Sequence, residues 1–542
     1  MYLFTSIAGL RCYLDAYRYG QPKLGESAIY ERSPIEVPLD VGFVPTMGAL
    51  HTGHLSLIQR ARRENKIVVV SIFVNPLQFG PNEDLQRYPR TLELDKTLCE
   101  AAEVDVLFVP SAQEMGIVGV SALTQVVPPE TMTSSLCGRS RTGHFQGVAT
   151  IVTKLFNIVQ PTRAYFGQKD AQQLAIIRQL VTDLNLPVEI VGCPTVRELS
   201  GLALSSRNQY LTTEEREQAA TLYRGLQQAE QKFRAGERSS DVLIGVVKTE
   251  LAAVTAIAPE YVELVHPTTL EPLQKIEDAG LMAIAVRFGS TRLIDNILLS
   301  NRKPIVAIDG PAGAGKSTVA RLVAQSLGLF YLDTGAMYRA LTWLVLQAGV
   351  EIEDAPAIAE LVSQCRIEFR EQENNSKFKI QNSKFKIPSI WINGHDVTQA
   401  IRSLEVTAKV SEIAAQPAVR RELMRQQQRY GQQGGIVIEG RDIGTQVFPD
   451  AELKIFLTAS VQERARRRQK DLQNQGIADI SLDELEQAIY ERDRKDSTRV
   501  LAPLCKAADA IALQTDGLTI TEVIEQIVSF YHEKLATYNH DN

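Results

Sequence analysis

Two stretches of this chain carry residue types and spacings suited to phosphate chemistry. The first is PTMGALHTGH, residues 45–54, with His51 and His54 three positions apart. Side chains at that spacing share one side of a helical turn, so two imidazoles at a helix start can point at one spot. A metal pair is one reading, although no third ligand is near and H-x-x-H alone is a weak zinc signal. A buried structural histidine is another. The second stretch is GPAGAGKST, residues 310–318, which fits G-x-x-x-x-G-K-[ST]. There Gly310, Gly313 and Gly315 let backbone N–H groups converge on phosphate oxygens, and Thr318 opens the following helix. Lys316 reaches the β- and γ-phosphates, and Ser317 is the expected Mg²⁺ ligand.

These side chains need elements to hold them. VGFVPT (41–46) is a short apolar run ending in a turn, and HLSLIQRARREN (54–65) has a helical pattern. IVVVSIFV (67–74), VDVLFVP (104–110) and VEIVGCP (188–194) are strand-like, and VATIVTKLFNIV (148–159) has apolar residues at helical spacing. Strand–helix alternation predicts a parallel sheet covered on both faces. After about residue 196 the pattern changes to a charged helix over 212–233 and short strands at 261–266 and 282–288, a smaller α+β domain. The polar, proline-ended SNRKP (300–304) precedes a new strand, IVAID (305–309), and a helix, STVARLVAQSLG. We therefore expect an α/β protein of three domains: 1–195, 196–299 and 300–542. NSKFKI occurs at 375–380 and again at 382–387, a duplication too short for a solenoid and best read as a surface insertion in a hairpin.

Composition is that of a soluble globular protein: 542 residues, 44% hydrophobic and 23% charged. A formal charge of −6 gives no global attraction to nucleic-acid polymers or anionic membranes. The six cysteines contain no C-x-x-C pair, so buried free thiols in a reducing compartment are the simpler reading. Neither a signal peptide nor an 18-residue apolar span is visible, and a cytoplasmic location is expected.

The histidine stretch resembles the H-x-G-H signature of adenylyl-transferring Rossmann-like proteins, in which imidazoles donate hydrogen bonds to phosphate oxygens as an α-phosphorus is attacked. With FVNPLQF (73–79), YPRTLELD (88–95), GRSRTGHFQGV (138–148), FGQKDAQQL (166–174) and GLALSSRNQYL (201–211), residues 1–299 resemble pantothenate synthetase (pantoate–β-alanine ligase). RTGHF departs from the usual Arg-Pro-Gly-His-Phe of that family. The resemblance implies a Rossmann-like domain with a small C-terminal domain, ATP as co-substrate, and pantoate and β-alanine as substrates. It implies His54 as the principal phosphate-contacting acid with His51 in support. Met47, Gly48, Ala49, Leu50, Thr52 and Gly53 complete the ATP-binding turn. Gly167, Gln168, Lys169 and Asp170 form a second ATP segment in which Lys169 stabilises the pentacoordinate phosphorus. Leu204, Ser205, Ser206 and Arg207 form the second phosphate loop, and Val196 lines the adenine pocket. Gln78 and Gln173 bind pantoate, and Arg141 approaches phosphate. The resembled family dimerises, so a homodimer through the first half is expected.

In the second half, LDTGAMYRA (332–340), EGRDIGTQVFPDA (439–451) and ERDRKDSTR (491–499), together with the glycine-rich loop, resemble bacterial-type cytidylate kinase from about residue 303 to near 530. That implies a P-loop nucleoside monophosphate kinase fold, with ATP as phosphoryl donor and CMP or dCMP as acceptor. Arg339 and Arg441 are implied to grip the CMP phosphate. Ser411, Arg420 and Asp442 are implied to read cytosine, and Arg492, Asp496 and Arg499 to surround the nucleoside and the transferring phosphate. The charge run ERARRRQK (463–470) lies where that family carries its mobile lid, although most such runs are solvated helix faces. Two other readings stand beside this one: a different H-x-G-H adenylyltransferase fused to a different monophosphate kinase, or a nucleotide-sensing scaffold without turnover.

Overall fold

The computed structural model describes residues 1–19, 40–80, 83–117, 123–289, 291–370, 388–474, 481–498 and 503–540. The duplicated NSKFKI segment and Arg499 lie outside the described residues. The chain divides into two compact units, Met1–Asn301 and Arg302–Asn542.

In the first unit, β1 (Tyr2–Phe4), β2 (Val41–Thr46), β3 (Ile67–Ile72), β4 (Val106–Phe108), β5 (Arg163–Gly167) and β6 (Glu189–Cys193) form a sheet in the order β1-β4-β3-β2-β5-β6. All its pairings are parallel. Each of its central strands is apolar at successive positions because both faces are covered. Val41, Phe43, Ile67 and Val69 enter one core with the helix His144–Val159. Val44, Val68 and Val70 enter another with Ile58 and Ala61 of the helix Thr52–Glu64. That last helix begins two residues earlier than its apolar pattern indicates, because His51 serves as its N-cap.

β7 (Ile257–Val265), β8 (Ala279–Phe288) and β9 (Thr291–Ser300) form an antiparallel sheet. Met282, Ile284 and Val286 face the helices Thr221–Arg234 and Ser240–Ala252. Leu281, Ala283 and Ala285 pack on Cys137, Phe145 and Ile176. This second contact brings β9 beside the segment carrying Lys169. The single helix expected over 212–233 is two, Thr213–Ala219 and Thr221–Arg234. Apolar periodicity continues through Ala220 and does not register the break.

In the second unit, β10 (Val306–Asp309), β11 (Phe330–Asp333), β15 (Ile436–Gly440), β16 (Leu453–Thr458) and β17 (Ile511–Gln514) form a parallel sheet in the order β11-β15-β10-β16-β17. Ile305, Ala307, Ile436 and Ile438 face one core, and Val306, Ile308, Val437 and Leu457 the other. A small antiparallel sheet joins β12 (Ile367–Arg370), β13 (Ser389–Ile392) and β14 (His395–Asp396). The carboxyl ends of β10, β11 and β15 deliver the glycine-rich loop, the Asp333 turn and Arg441, the position where open α/β sheets bind ligands.

Candidate active sites

In the first unit the carboxyl end of β2 leads into Met47–Leu50, then into the helix Thr52–Glu64. Gly48 has φ of +82°, and a Cβ there would stand 3.0 Å from both the Asp95 carboxylate and Ile72, so only glycine fits. The buried Asp95 accepts hydrogen bonds from Ala49 N–H at 2.9 Å and Leu50 N–H at 2.8 Å. Asp95 belongs to the helix Leu92–Ala101, and its side chain sets the turn from across the cleft wall.

The His51 and His54 rings lie 4.1 Å apart between centroids. His51 Nδ1 accepts from Gly53 N–H at 3.1 Å, and His54 Nδ1 accepts from His51 N–H at 3.4 Å. Burial, reinforced by Lys169, holds the pKa of His51 down to about 4. Burial, followed by the neighbouring His51 and Lys169, holds that of His54 down to about 3. Both rings are therefore neutral at pH 7. With Nδ1 accepting, the remaining proton sits on Nε2, and each ring offers one N–H donor. His54, for which an acid role is expected, offers a neutral N–H donor in this arrangement.

His144 takes the opposite tautomer. Its Nδ1 lies 2.7 Å from the Gln78 carbonyl and must donate, while Nε2 receives Arg141 Nη1 at 3.0 Å. Burial and the adjacent Arg141 lower its pKa to about 4. Arg141 is also tied to Glu83, through Nε at 2.7 Å. Gln78 is fixed further: Asn75 Nδ2 donates to its Oε1 at 3.0 Å, and its own Nε2 lies 3.0 Å from Met47 Sδ. Lys169 Nζ stands 3.3 Å from Asp170. One open cleft brings together Met47, Gly53, both histidines, Gln78, Arg141, Gly167, Lys169, Asp170, Gln173, Val196, Leu204, Ser205, Ser206 and Arg207. Gly48, Ala49 and Leu50 lie in the turn after β2, Thr52 is the first residue of the helix Thr52–Glu64, and Gln168 opens the short helix Gln168–Asp170.

In the second unit Gly310 has φ of +149°, and a Cβ there would meet the Leu457 carbonyl oxygen at 2.0 Å. Gly313 and Gly315 also have positive φ, and the helix Lys316–Leu327 starts at the loop, so its N-terminus adds the partial positive charge that suits an anion there. Lys316 is buried, donates to the Pro311 carbonyl at 2.7 Å, and has its pKa lowered to about 8 by burial, with Arg441 adding to the effect. The Ser317 hydroxyl hydrogen-bonds Glu439, whose carboxyl is raised by burial. Asp309 accepts from Ile443 N–H at 2.8 Å and Gly444 N–H at 2.7 Å, which orients the segment following Arg441 and Asp442. Burial raises the Asp309 pKa to about 6.

The acceptor-side residues come together as ion pairs. Arg441 pairs with Asp496 at 2.7 Å, Arg420 with Asp442, and Arg339 with Asp333 at 3.5 Å. Arg492 has its pKa lowered by burial and then by Arg441. Ser411 is exposed on the helix Leu404–Ala414. The charge run is not a fully solvated face. Arg464 is buried, pairs with Asp493 at 2.6 Å and donates to the Ala312 carbonyl of the loop at 3.1 Å. Arg467 donates to Thr515. Arg466 is exposed. Among the described residues no group of three or more His, Cys, Asp or Glu side chains forms a metal site, and no helix is long and apolar enough to cross a membrane.

Sequence reasoning missed Asp95, His144, Asn75, Asp309 and Arg464 as individuals. Asp95 and His144 lie inside motifs that stand out in the sequence. Their partners, 45 and 66 residues away, appear only in the folded chain.

Folds and sites together define the class: a nucleotidyltransferase-type α/β unit followed by a P-loop nucleoside monophosphate kinase unit. Residues 28–298 match the family described as pantoate-beta-alanine ligase, and residues 306–533 match cytidylate kinase. A bifunctional pantoate ligase/cytidylate kinase of Trichormus variabilis is 62% identical, over 99% of this chain and 100% of that one. Its counterpart in Trichodesmium erythraeum is 56% identical over 98% and 97%. That of Synechocystis is 54% identical over 98% of each. The chain belongs to the bifunctional pantoate ligase/cytidylate kinase family. It is an ATP-using enzyme with both activities, and neither rival reading is supported.

Proposed function

We propose that the cleft of the first unit activates pantoate as pantoyl adenylate, releasing pyrophosphate, and that β-alanine then displaces AMP to give pantothenate. The observation that carries this is the neutral His51–His54 pair beside Lys169. Two Nε2–H donors and an ammonium suit charge developing on an α-phosphate, where donors fixed before reaction need no reorganisation. Gln78 and Gln173 hold pantoate through neutral amides, which bond its oxygens without neutralising the attacking carboxylate. Ser205, Ser206 and Arg207 take the departing pyrophosphate. Val196 lines the adenine pocket, and Arg141 orients His144 and Gln78.

In the second unit the loop and Lys316 hold the ATP phosphates while Arg339, Arg441 and Arg492 gather positive charge around the transferring group. CMP or dCMP displaces the internal partners: its phosphate takes Arg441 from Asp496, and its base takes Arg420 and Asp442 from each other, with Ser411 alongside. The oxygen set of Ser317 and Glu439 suits Mg²⁺, a hard cation that keeps several waters and takes few protein ligands. When bound, Mg²⁺ neutralises charge on the phosphates. Four of the six cysteines are buried while Cys12 and Cys505 are exposed; their wide spacing without a C-x-x-C pair agrees with a cytoplasmic enzyme, and the first half is taken as the dimerising one by its family likeness.

The test is exchange of labelled pyrophosphate into ATP by the purified chain, with a panel of phosphoryl acceptors run in parallel. Exchange should require pantoate but not β-alanine, and CMP should be the best acceptor. Exchange that ignores pantoate would sink the adenylate reading.

A further inference from the structure

Lys169 sits in a short turn, Gln168–Asp170, at the end of β5. Its ammonium can meet a phosphorus only if its backbone is held, and a carbonyl has two lone pairs, so the carbonyls of this turn can take a second partner besides the N–H groups of the following helix. The structure supplies one from the small sheet. Asn296 Nδ2, on β9, donates to the Gln168 carbonyl at 3.0 Å and to the Lys169 carbonyl at 2.8 Å.

Asn296 is itself fixed. The preceding residue, Asp295, is 2% exposed and accepts Asn296 N–H at 2.8 Å. Asp295 also takes a two-pronged bond from Arg197, at 2.6 and 2.9 Å. The Arg197 guanidinium lies 3.7 Å over the Tyr223 ring, so its position is settled on both sides. Arg197 follows Val196, which lines the cleft. Two successive β9 residues thus grip two cleft segments, 168–169 and 196–197. Charged and stacked contacts anchor one, and a single amide orients the other.

We infer that Asn296 is a positioning residue for the ligase reaction, holding the Gln168–Lys169 backbone so that the Lys169 ammonium is presented to the reacting phosphate. This rests on the role proposed above for Lys169. A carboxamide suits this position because it donates both hydrogens to two adjacent carbonyls, whereas an isosteric carboxylate has no hydrogen to give and would repel both. The contact makes the small sheet part of the catalytic apparatus, without a side chain of its own touching substrate.

The experiment is a double-mutant cycle on the full chain, read by pantoate-dependent pyrophosphate exchange. Asn296→Asp should lower the exchange rate by roughly tenfold, the effect of losing two hydrogen bonds, one exposed and one part-buried, and setting a carboxylate against their acceptors. The KM for ATP should stay within about twofold, because Lys169 acts on the reacting phosphate more than on ground-state binding. Asn296→Ala, which removes the donors without adding charge, should fall between wild type and Asn296→Asp. In a Lys169→Ala background neither change at Asn296 should slow exchange further. Thermal unfolding of each variant separates mispositioning from a lost fold, and CMP phosphorylation by the same molecules should be unchanged. Additive losses in the double variant, or a normal rate for Asn296→Asp, would overturn the inference. If Lys169→Ala alone exchanges at the normal rate, the role of Lys169 is what fails.

Discussion

The three histidines around the ligase cleft are distinguished by where their protons sit. His51 and His54 receive backbone N–H groups at Nδ1 and keep the proton on Nε2, whereas His144 gives its Nδ1 proton to the Gln78 carbonyl. Rings that keep an Nε2–H to offer and a ring that braces a loop therefore come from one side-chain type through local hydrogen bonding. All three have pKa values of about 3 or 4 in the fold, below the ordinary value of 6.5. Between pH 6.5 and 4 the unfolded chain binds more protons than the folded one, so their contribution to stability is present above pH 6.5 and is lost as pH falls toward 4. Unfolding followed between pH 6.5 and 5, above most carboxylate titration, should show the stability of the first unit falling with pH. His144→Gln should flatten that slope by about 1 kcal/mol per pH unit. An unchanged slope would mean that His144 is not held neutral.

At the scale of elements, three loops of the two candidate sites are each braced by a residue of another element. Asp95 fixes the Gly48–Leu50 turn, Asp309 fixes the segment after Asp442, and Arg464 holds the Ala312 carbonyl. The strands and helices themselves were legible, because continuous β-branched runs and helical spacing follow from burial on both faces of a sheet. The loop motifs were legible because glycine, lysine, serine and histidine at those spacings have few other uses. The bracing residues were not, since an aspartate in a helix such as Leu92–Ala101 looks like any solvated first-turn acid until the chain folds. The pairing of Arg420 with Asp442 is equally hidden, as the sequence motifs present both only as ligands for a base. Asp95→Asn tests the bracing. One amide oxygen can still accept from the turn, but its NH₂ faces another donor, at a cost of about 1–3 kcal/mol. The ligase kcat/KM for ATP should fall roughly ten- to a hundredfold, while CMP phosphorylation stays constant. A ligase indifferent to Asp95→Asn would show that the turn holds itself.

For the whole molecule, two compact units carry two ATP-using reactions that do not follow one another: pantothenate is no substrate for a kinase acting on CMP. Fusion alone therefore gives no reason for passing an intermediate between sites, and each unit has its own cores and its own loop set. We predict that the two chemistries can be silenced separately. In the reading proposed above, His54 serves an α-phosphate, and Lys316 the β- and γ-phosphates of a different ATP molecule. His54→Ala removes one fixed donor, a loss that typically costs about 10²–10³ in rate. Pantothenate formation should collapse while CMP phosphorylation persists, and Lys316→Ala should do the reverse. Circular dichroism of each variant is needed, because a globally unfolded chain would imitate coupling. Residues 1–301 and 302–542, expressed apart, should each fold and retain their own activity, since a domain with its own core can fold alone. A folded His54→Ala chain that also loses CMP kinase activity would point to a shared nucleotide site. So would a folded Lys316→Ala chain that loses pantothenate synthesis. Fragments that are folded yet inactive would instead show that each unit needs the other to work.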